Sequence, residues 1–369
     1  MKILHINAGL EKGGGLFHIV NLLSEAKKEG QDFELLTLAD GPVSQAARKA
    51  GIKTYVLNAN SRYDLKALSK LVKFINQGHY DIVHTHGARA NLYVSLIKKR
   101  IKSKWLITVH SDPLKDFEGR GILGNIFTKL NLQALKNADG ILAITQNFAD
   151  ILTEKVGIKK TKIYVIYNGI FFNDNIEIPS KYAHPYFNVI NVARSEKVKG
   201  QDLLLKAIQS LNNSNLRLHL VGDGSQLNKL KALARDLGIS RQVTFHGFLD
   251  HKQIRELYRK MDLAALTSYS ESFPLVLLEA SDNLVPILST DVGDIEKMIP
   301  NDDYGFVAEI GNLDSITRQL EKAVAKSKLE LAEMAKREKE YLARTFSMKN
   351  QLLVVTNYYK SILGDNYGD

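Results

Sequence analysis

The chain has 369 residues, an apolar fraction of 44% and a charged fraction of 24%, enough for two domains with separate cores, and this composition excludes a disordered or fibrous protein. Its net charge is +10, of which +9 falls within residues 1–180; the surplus gathers at Lys98, Lys99, Arg100, Lys102 and Lys104, either as a patch drawn to an anionic surface or as a solvated helix end. The absence of cysteine excludes disulfides and thiolate metal sites, while the lack of a signal-peptide pattern and of any bilayer-length apolar run leads us to expect a cytoplasmic protein.

Short β-branched or leucine-rich runs alternate with amphipathic segments, the pattern of parallel strands joined by helices. In the first half, strands are expected at 2–7, 33–38, 54–57, 82–86, 105–110, 140–144 and 163–166. Directly after the first of them come Gly13, Gly14 and Gly15, followed by a helix expected near Leu16. Such a loop lets backbone amides approach an anion at a helix N-terminus, or simply makes a tight strand-to-helix turn. The dinucleotide fingerprint fails, because His18 stands at its third glycine position, although Asp40 could serve as a ribose ligand. His84 and His86, two apart on a strand, point the same way, but spacing supplies no third ligand and no metal site is expected. His110 ends an apolar strand and is followed by Ser111, Asp112 and Pro113, a setting that favours function over core packing.

The rhythm breaks at 173–187, read as a linker between an N-terminal domain at 1–172 and a C-terminal one at 188–345. Strands resume at 188–192, 216–221, 243–245, 262–267, 285–289 and 305–307. Two doubly wound sheets in tandem would turn the carboxyl ends of their strands toward a shared crevice. The tail is helical by period, and its last segment, 346–369, is expected to cross back onto the first domain.

Within the second series, Arg194 and Lys199 stand in the loop after its first strand, two cations able to neutralise a diphosphate. Gly222 and Asp223 end the next strand, where a ligand can lie beside backbone. Then Glu271-Ser272-Phe273-Pro274-Leu275 leads into a helix expected to open at Pro274, with Glu279 about a turn and a half inside it, so both carboxylates could reach one elongated ligand.

On these residues the chain resembles glycosyltransferase family 4 (glycosyl transferases group 1), retaining enzymes of two Rossmann-like domains, the GT-B fold. Glu271 and Glu279 stand at its Glu-x7-Glu spacing, VPILSTDVGDIEKMI resembles its following strand and loop, and Arg194 and Lys199 match its cation segment. The resemblance implies that Arg194 and Lys199 hold the donor diphosphate, that Glu279 contacts the ribose, that Glu271 lies near the transferred sugar, and that His110 sits at the reaction centre. It also places Gly14, Gly15, Gly222, Asp223, Phe273, Pro274 and Leu275 about the donor. Ala193, Ser272 and Asp294 replace glycines of the family pattern, each restricting the backbone more than glycine does.

The expected reaction moves a sugar, from a UDP-sugar in preference to a GDP-sugar, to a saccharide or lipid-linked acceptor, with no cofactor and no nucleic acid. Bacterial cell-surface polysaccharide synthesis and a peripheral place at an anionic membrane fit this reading. Two rivals stay open: a sugar-nucleotide 2-epimerase of the same architecture, and a polyanion-binding protein on an inactive scaffold.

Overall fold

A computed structural model describes residues 1–59, 65–173 and 185–364. Most of the expected linker therefore lies outside the described residues. The chain divides into two compact units, one formed by Met1–Gly169 with Met348–Asp369 and the other by Ile170–Ser347.

In the first unit the order is β1 (Lys2–Asn7), α1 (Gly14–Lys28), β2 (Asp32–Thr37), α2 (Pro42–Lys49), β3 (Thr54–Val56), α3 (Leu65–Gly78), β4 (Ile82–His86) and α4 (Ala88–Ile97). It continues with β5 (Lys104–Val109), α5 (Gly121–Asn137), β6 (Gly140–Ala143), α6 (Gln146–Asp150) and β7 (Ile163–Val165). These strands form one parallel sheet ordered β3-β2-β1-β4-β5-β6-β7. Successive side chains of β1 separate to opposite faces, as the pleat requires. Leu4 and Ile6 join a core with Val83, Trp105 and Ile107, whereas Ile3 joins one with α1 residues Ile19 and Leu22 and with Val355 and Tyr359 near the chain end.

In the second unit the order is β8 (Phe187–Val192), α7 (Gln201–Ser210), β9 (Leu216–Val221), α8 (Leu227–Asp236), β10 (Val243–Gly247), α9 (His251–Tyr258) and β11 (Leu263–Leu266). Next come α10 (Leu275–Asp282), β12 (Ile287–Thr290), β13 (Phe306–Ala308), α11 (Leu313–Ala325) and α12 (Lys328–Phe346). The sheet is again parallel, ordered β10-β9-β8-β11-β12-β13, over a core that includes Val189, Leu204, Leu218, Leu263 and Leu288. At its start α12 carries a capping box, in which Ser327 and Glu330 satisfy each other's backbone N–H groups. A final helix, α13 (Met348–Leu363), belongs to the first unit.

All thirteen strands read from the sequence are present, their ends shifted by no more than a few residues. The chain order of the strands reverses between β1 and β4 in one sheet and between β8 and β11 in the other. Such points leave a crevice at the carboxyl ends of the strands, where open α/β sheets bind ligands.

Candidate active site

In the second unit the loops after β8, β9 and β11 are tied together by backbone. Ser195 N–H donates to Asp223 O at 2.9 Å and Tyr269 N–H to Val198 O at 2.8 Å. Gly222 has φ 125°, and a Cβ there would lie 2.1 Å from Ala193 O. Only glycine lets these two loops approach so closely.

Lys199 Nζ meets Glu271 Oε1 at 2.6 Å, with side chains only 17% and 14% exposed. The same carboxylate oxygen accepts from Ser268 Oγ at 2.7 Å. Lys199 is therefore no free cation: its charge is already matched by Glu271, which is oriented by two donors. Arg194 is exposed on the same loop, and no ion pair engages it among the described residues.

Helix α10 begins at Leu275, with Pro274 as its N-cap at φ −81° and ψ 82°, so the proline lies before the first turn and not inside it. Phe273 and Pro274 are both buried, and Phe273 packs on Phe346 with ring centroids 5.3 Å apart. The Phe273 ring thus ties the start of this helix to α12. Glu279 stands apart from the Lys199–Glu271 pair. Its Oε1 is 4.0 Å from His251 Nδ1, and burial raises its carboxyl above the usual range, against the pull of His251 and Arg255.

Of the three departures from glycine, only Asp294 takes up a left-handed conformation, with φ 58°. Aspartate is among the few residues that tolerate this region. Ala193 and Ser272 have no positive φ, so neither carries that strain.

In the first unit, α1 begins at Gly14 with Gly13 as N-cap, two residues earlier than expected. Gly14 and Gly15 thus form the helix's first turn, whose amides have no partners within the helix. A Cβ on Gly15 would lie 2.6 Å from Glu11 Oε2 and one on Gly87 2.7 Å from Glu11 Oε1, so the backbone is closed around this carboxylate. Glu11, Lys12, Gly15, Gly87, His110, Ser111 and Asp116 line a cavity of about 480 Å³. Burial raises the carboxyls of Glu11 and Asp116.

Behind His110 lies a group of buried histidines that sequence spacing did not assemble. His110 Nε2 is 3.2 Å from His86 Nδ1, and His86 Nε2 is 2.9 Å from His5 Nδ1. His84 Nδ1 is 2.5 Å from the Tyr359 hydroxyl of α13 and its Nε2 is 2.7 Å from Thr108 Oγ1. Burial, reinforced by the neighbouring imidazoles, lowers His5 to about 3 and holds His84, His86 and His110 well below the ordinary histidine range. Burial also lowers His18 to about 4, against a hydrogen bond from its ring to Asn168. All five rings are therefore neutral at physiological pH. The available signal was a histidine inside the apolar run KILHIN and another inside LFHIV; neither has a charge partner nearby in sequence, and strand pairing alone sets His5 beside His84.

Comparison with known proteins places this geometry in a family. The family description "Glycosyltransferase Family 4" matches residues 12–171, and "Glycosyl transferases group 1" matches residues 174–341. The chain is 26% identical over 315 residues to an N-acetyl-alpha-D-glucosaminyl L-malate synthase of Bacillus anthracis, covering 82% of this chain and 81% of that protein. It is 28% identical over 202 residues to a lipopolysaccharide 1,6-galactosyltransferase of Escherichia coli K12, covering 53% of this chain and 55% of that one. Its fold resembles that of Anabaena Alr3699/HepE, solved in complex with UDP, with a TM-score of 0.81 at 18% identity over 98% of this chain and 100% of the other. The two family matches together span nearly the whole chain, and its two parallel sheets have the GT-B architecture, so the chain belongs to the family 4 (group 1) glycosyltransferases.

Proposed function

We propose that this glycosyltransferase transfers a sugar, with retention at the anomeric carbon, from a nucleotide-diphosphate sugar to a hydroxyl of a saccharide or lipid-linked saccharide. The observation that carries the reading is the Lys199–Glu271 pair beside Arg194 at the carboxyl ends of β8 and β11. Negative charge develops on a departing diphosphate, and fixed cations stabilise it with little reorganisation. Arg194 and Lys199 take that role, Glu271 faces the sugar, and Glu279 holds the ribose. UDP is the preferred carrier, a choice supported by the UDP complex of the Anabaena relative. His110 and the cavity around it serve the acceptor. The E. coli relative's named activity supports a place in cell-surface polysaccharide synthesis.

A screen of nucleoside diphosphates and their sugars by thermal shift tests the donor. A ligand at about 100 times its Kd raises stability by about 2.7 kcal/mol. A shift of several degrees is expected for UDP and one UDP-sugar. No shift with any nucleotide overturns the assignment, and release of free sugar isomer without an acceptor selects the epimerase instead.

We further propose a peripheral place at an anionic membrane. Among the described residues no helix is long and apolar enough to cross a membrane. Lys98 is tied to Asp139, whereas Lys99, Arg100, Lys102 and Lys104 are exposed. Each basic residue near such a surface contributes about 1 kcal/mol. Flotation with vesicles containing phosphatidylserine is expected to recover the protein at low salt and release it at high salt. Equal recovery on neutral vesicles refutes the proposal.

A further inference from the structure

The histidines behind His110 hold more than one ring in place. One ring nitrogen from each of His18, His86 and His110 lies within 4.8 Å of the others. His86 Nδ1 and His110 Nε2 are 3.2 Å apart, close to the roughly 3.3 Å between two nitrogens bound at about 2.0–2.1 Å to one tetrahedral cation. His18 Nδ1 lies 2.7 Å from Asn168 Oδ1 and 3.3 Å from Gln351 Nε2. The shorter contact puts the proton on Nδ1, donated to Asn168, and leaves the lone pair on Nε2. That Nε2 is buried and has no hydrogen-bond partner among the described residues. A buried polar atom without a partner calls for an explanation, and a ligand is one of the few available.

The surroundings supply what a histidine metal site requires. Asn168 fixes the tautomer of His18, and His5 occupies the second nitrogen of His86, the outer contacts that orient metal-binding imidazoles. His110 lines the cavity of about 480 Å³, which provides an entry path and room for water as a fourth ligand. A second trio, His5, His84 and His86, is equally compact, but every nitrogen of His84 and His5 already faces a partner: Tyr359, Thr108 or His86. It is sealed in the interior.

We propose that His18, His86 and His110 form a binding site for one divalent transition-metal cation that prefers imidazole nitrogen, of which Zn²⁺ is the type. The cation occupies His110 Nε2, the nitrogen that already faces His86 Nδ1. Occupancy therefore inhibits any reaction in which His110 takes part, and removal of the metal restores it.

The test uses untagged, chelator-treated full-length protein titrated with Co²⁺ alone, followed by Zn²⁺ competition against a chromophoric chelator. Intense visible absorption saturating at one equivalent is expected, as for Co²⁺ in a tetrahedral site of three imidazoles and a water. His18→Ala and His110→Ala are each expected to weaken binding at least ~100-fold, and Asn168→Ala by about 10-fold through loss of the orienting contact. Circular dichroism and melting establish that each variant folds, with His18→Gln as a substitute where alanine does not. Unchanged Co²⁺ affinity in folded His18 and His110 variants overturns the proposal. So does loss of binding in His84→Gln with retention in His18→Ala, which moves the metal to the inner trio.

Discussion

Arg194→Ala is expected to lower kcat by about 100-fold or more while leaving the melting temperature nearly unchanged. Arg194 is exposed, and the carboxylate it acts on, Glu196, is also held by Ser225, so its removal strands no buried charge. Loss of one preorganised electrostatic contact to developing charge typically costs 10²–10³ in kcat, about 2.7–4 kcal/mol. Lys199→Ala is expected to lower turnover comparably, but it also strands Glu271, whose side chain is only 14% exposed. Breaking a buried pair by removing one partner destabilises by about 3–5 kcal/mol, so its melting temperature falls by several degrees. In Lys199→Ala/Glu271→Gln the stranded charge is gone and melting recovers, while turnover stays low. Steady-state kinetics and calorimetric melting on the three variants check this. Near-native turnover in Arg194→Ala sinks the diphosphate assignment.

The second large effect separates the two glutamates, which sit in different electrostatic settings. Glu271 is held by Lys199 and Ser268, whereas Glu279 lies 4.0 Å from His251, feels Arg255 as well, and still has a carboxyl pKa raised by burial. Glu271→Gln is expected to lower kcat by about 100-fold with little change in KM, because a contact to the sugar strengthens as positive charge develops at the anomeric carbon. Free nucleotide still binds. Glu279→Gln is expected to weaken donor and free UDP alike by about 10- to 100-fold, consistent with loss of a charge-assisted hydrogen bond of about 1.5–3 kcal/mol.

Their stabilities diverge as well. A carboxyl whose folded pKa lies above its unfolded value makes the folded state bind more protons, so this group opposes folding above its folded pKa and ceases to do so as pH falls through it. Removing the charge of Glu279 therefore raises the melting temperature of the ligand-free protein at pH 7, and the difference from the parent shrinks toward acid pH. Titration calorimetry with UDP and melting curves from pH 4 to 8 test both statements. If Glu271→Gln loses nucleotide affinity and Glu279→Gln keeps it, the two roles are exchanged.

Much of this molecule was legible in the chain. Buried parallel strands read as short, mainly apolar runs such as DIVH and WLITV, because both faces of the sheet are covered and apolar side chains fill most of them. That alone set the strands, their parallel class and the restart of the fold after residue 187. The site loops were legible for a related reason: Arg194, Lys199 and Glu271 are charges placed directly after such runs, where a sheet of this kind opens to ligand.

What sequence spacing left undecided were the contacts between strands distant in the chain. Lys199 and Glu271 are 72 residues apart and meet at 2.6 Å only because β8 and β11 are neighbours at the reversal of strand order. That pairing makes Lys199 half of an ion pair. Phe273 packs on Phe346 of α12, a contact outside any local window. The histidine group has the same origin: β1 pairs with β4, β4 with β5, α1 lays His18 against them, and α13 returns with Tyr359. Periodicity determines which face of an element a side chain occupies, because that depends only on the local backbone. Which residues share that face across elements depends on strand order and helix packing, and here those alone brought His5, His18, His84, His86 and His110 together.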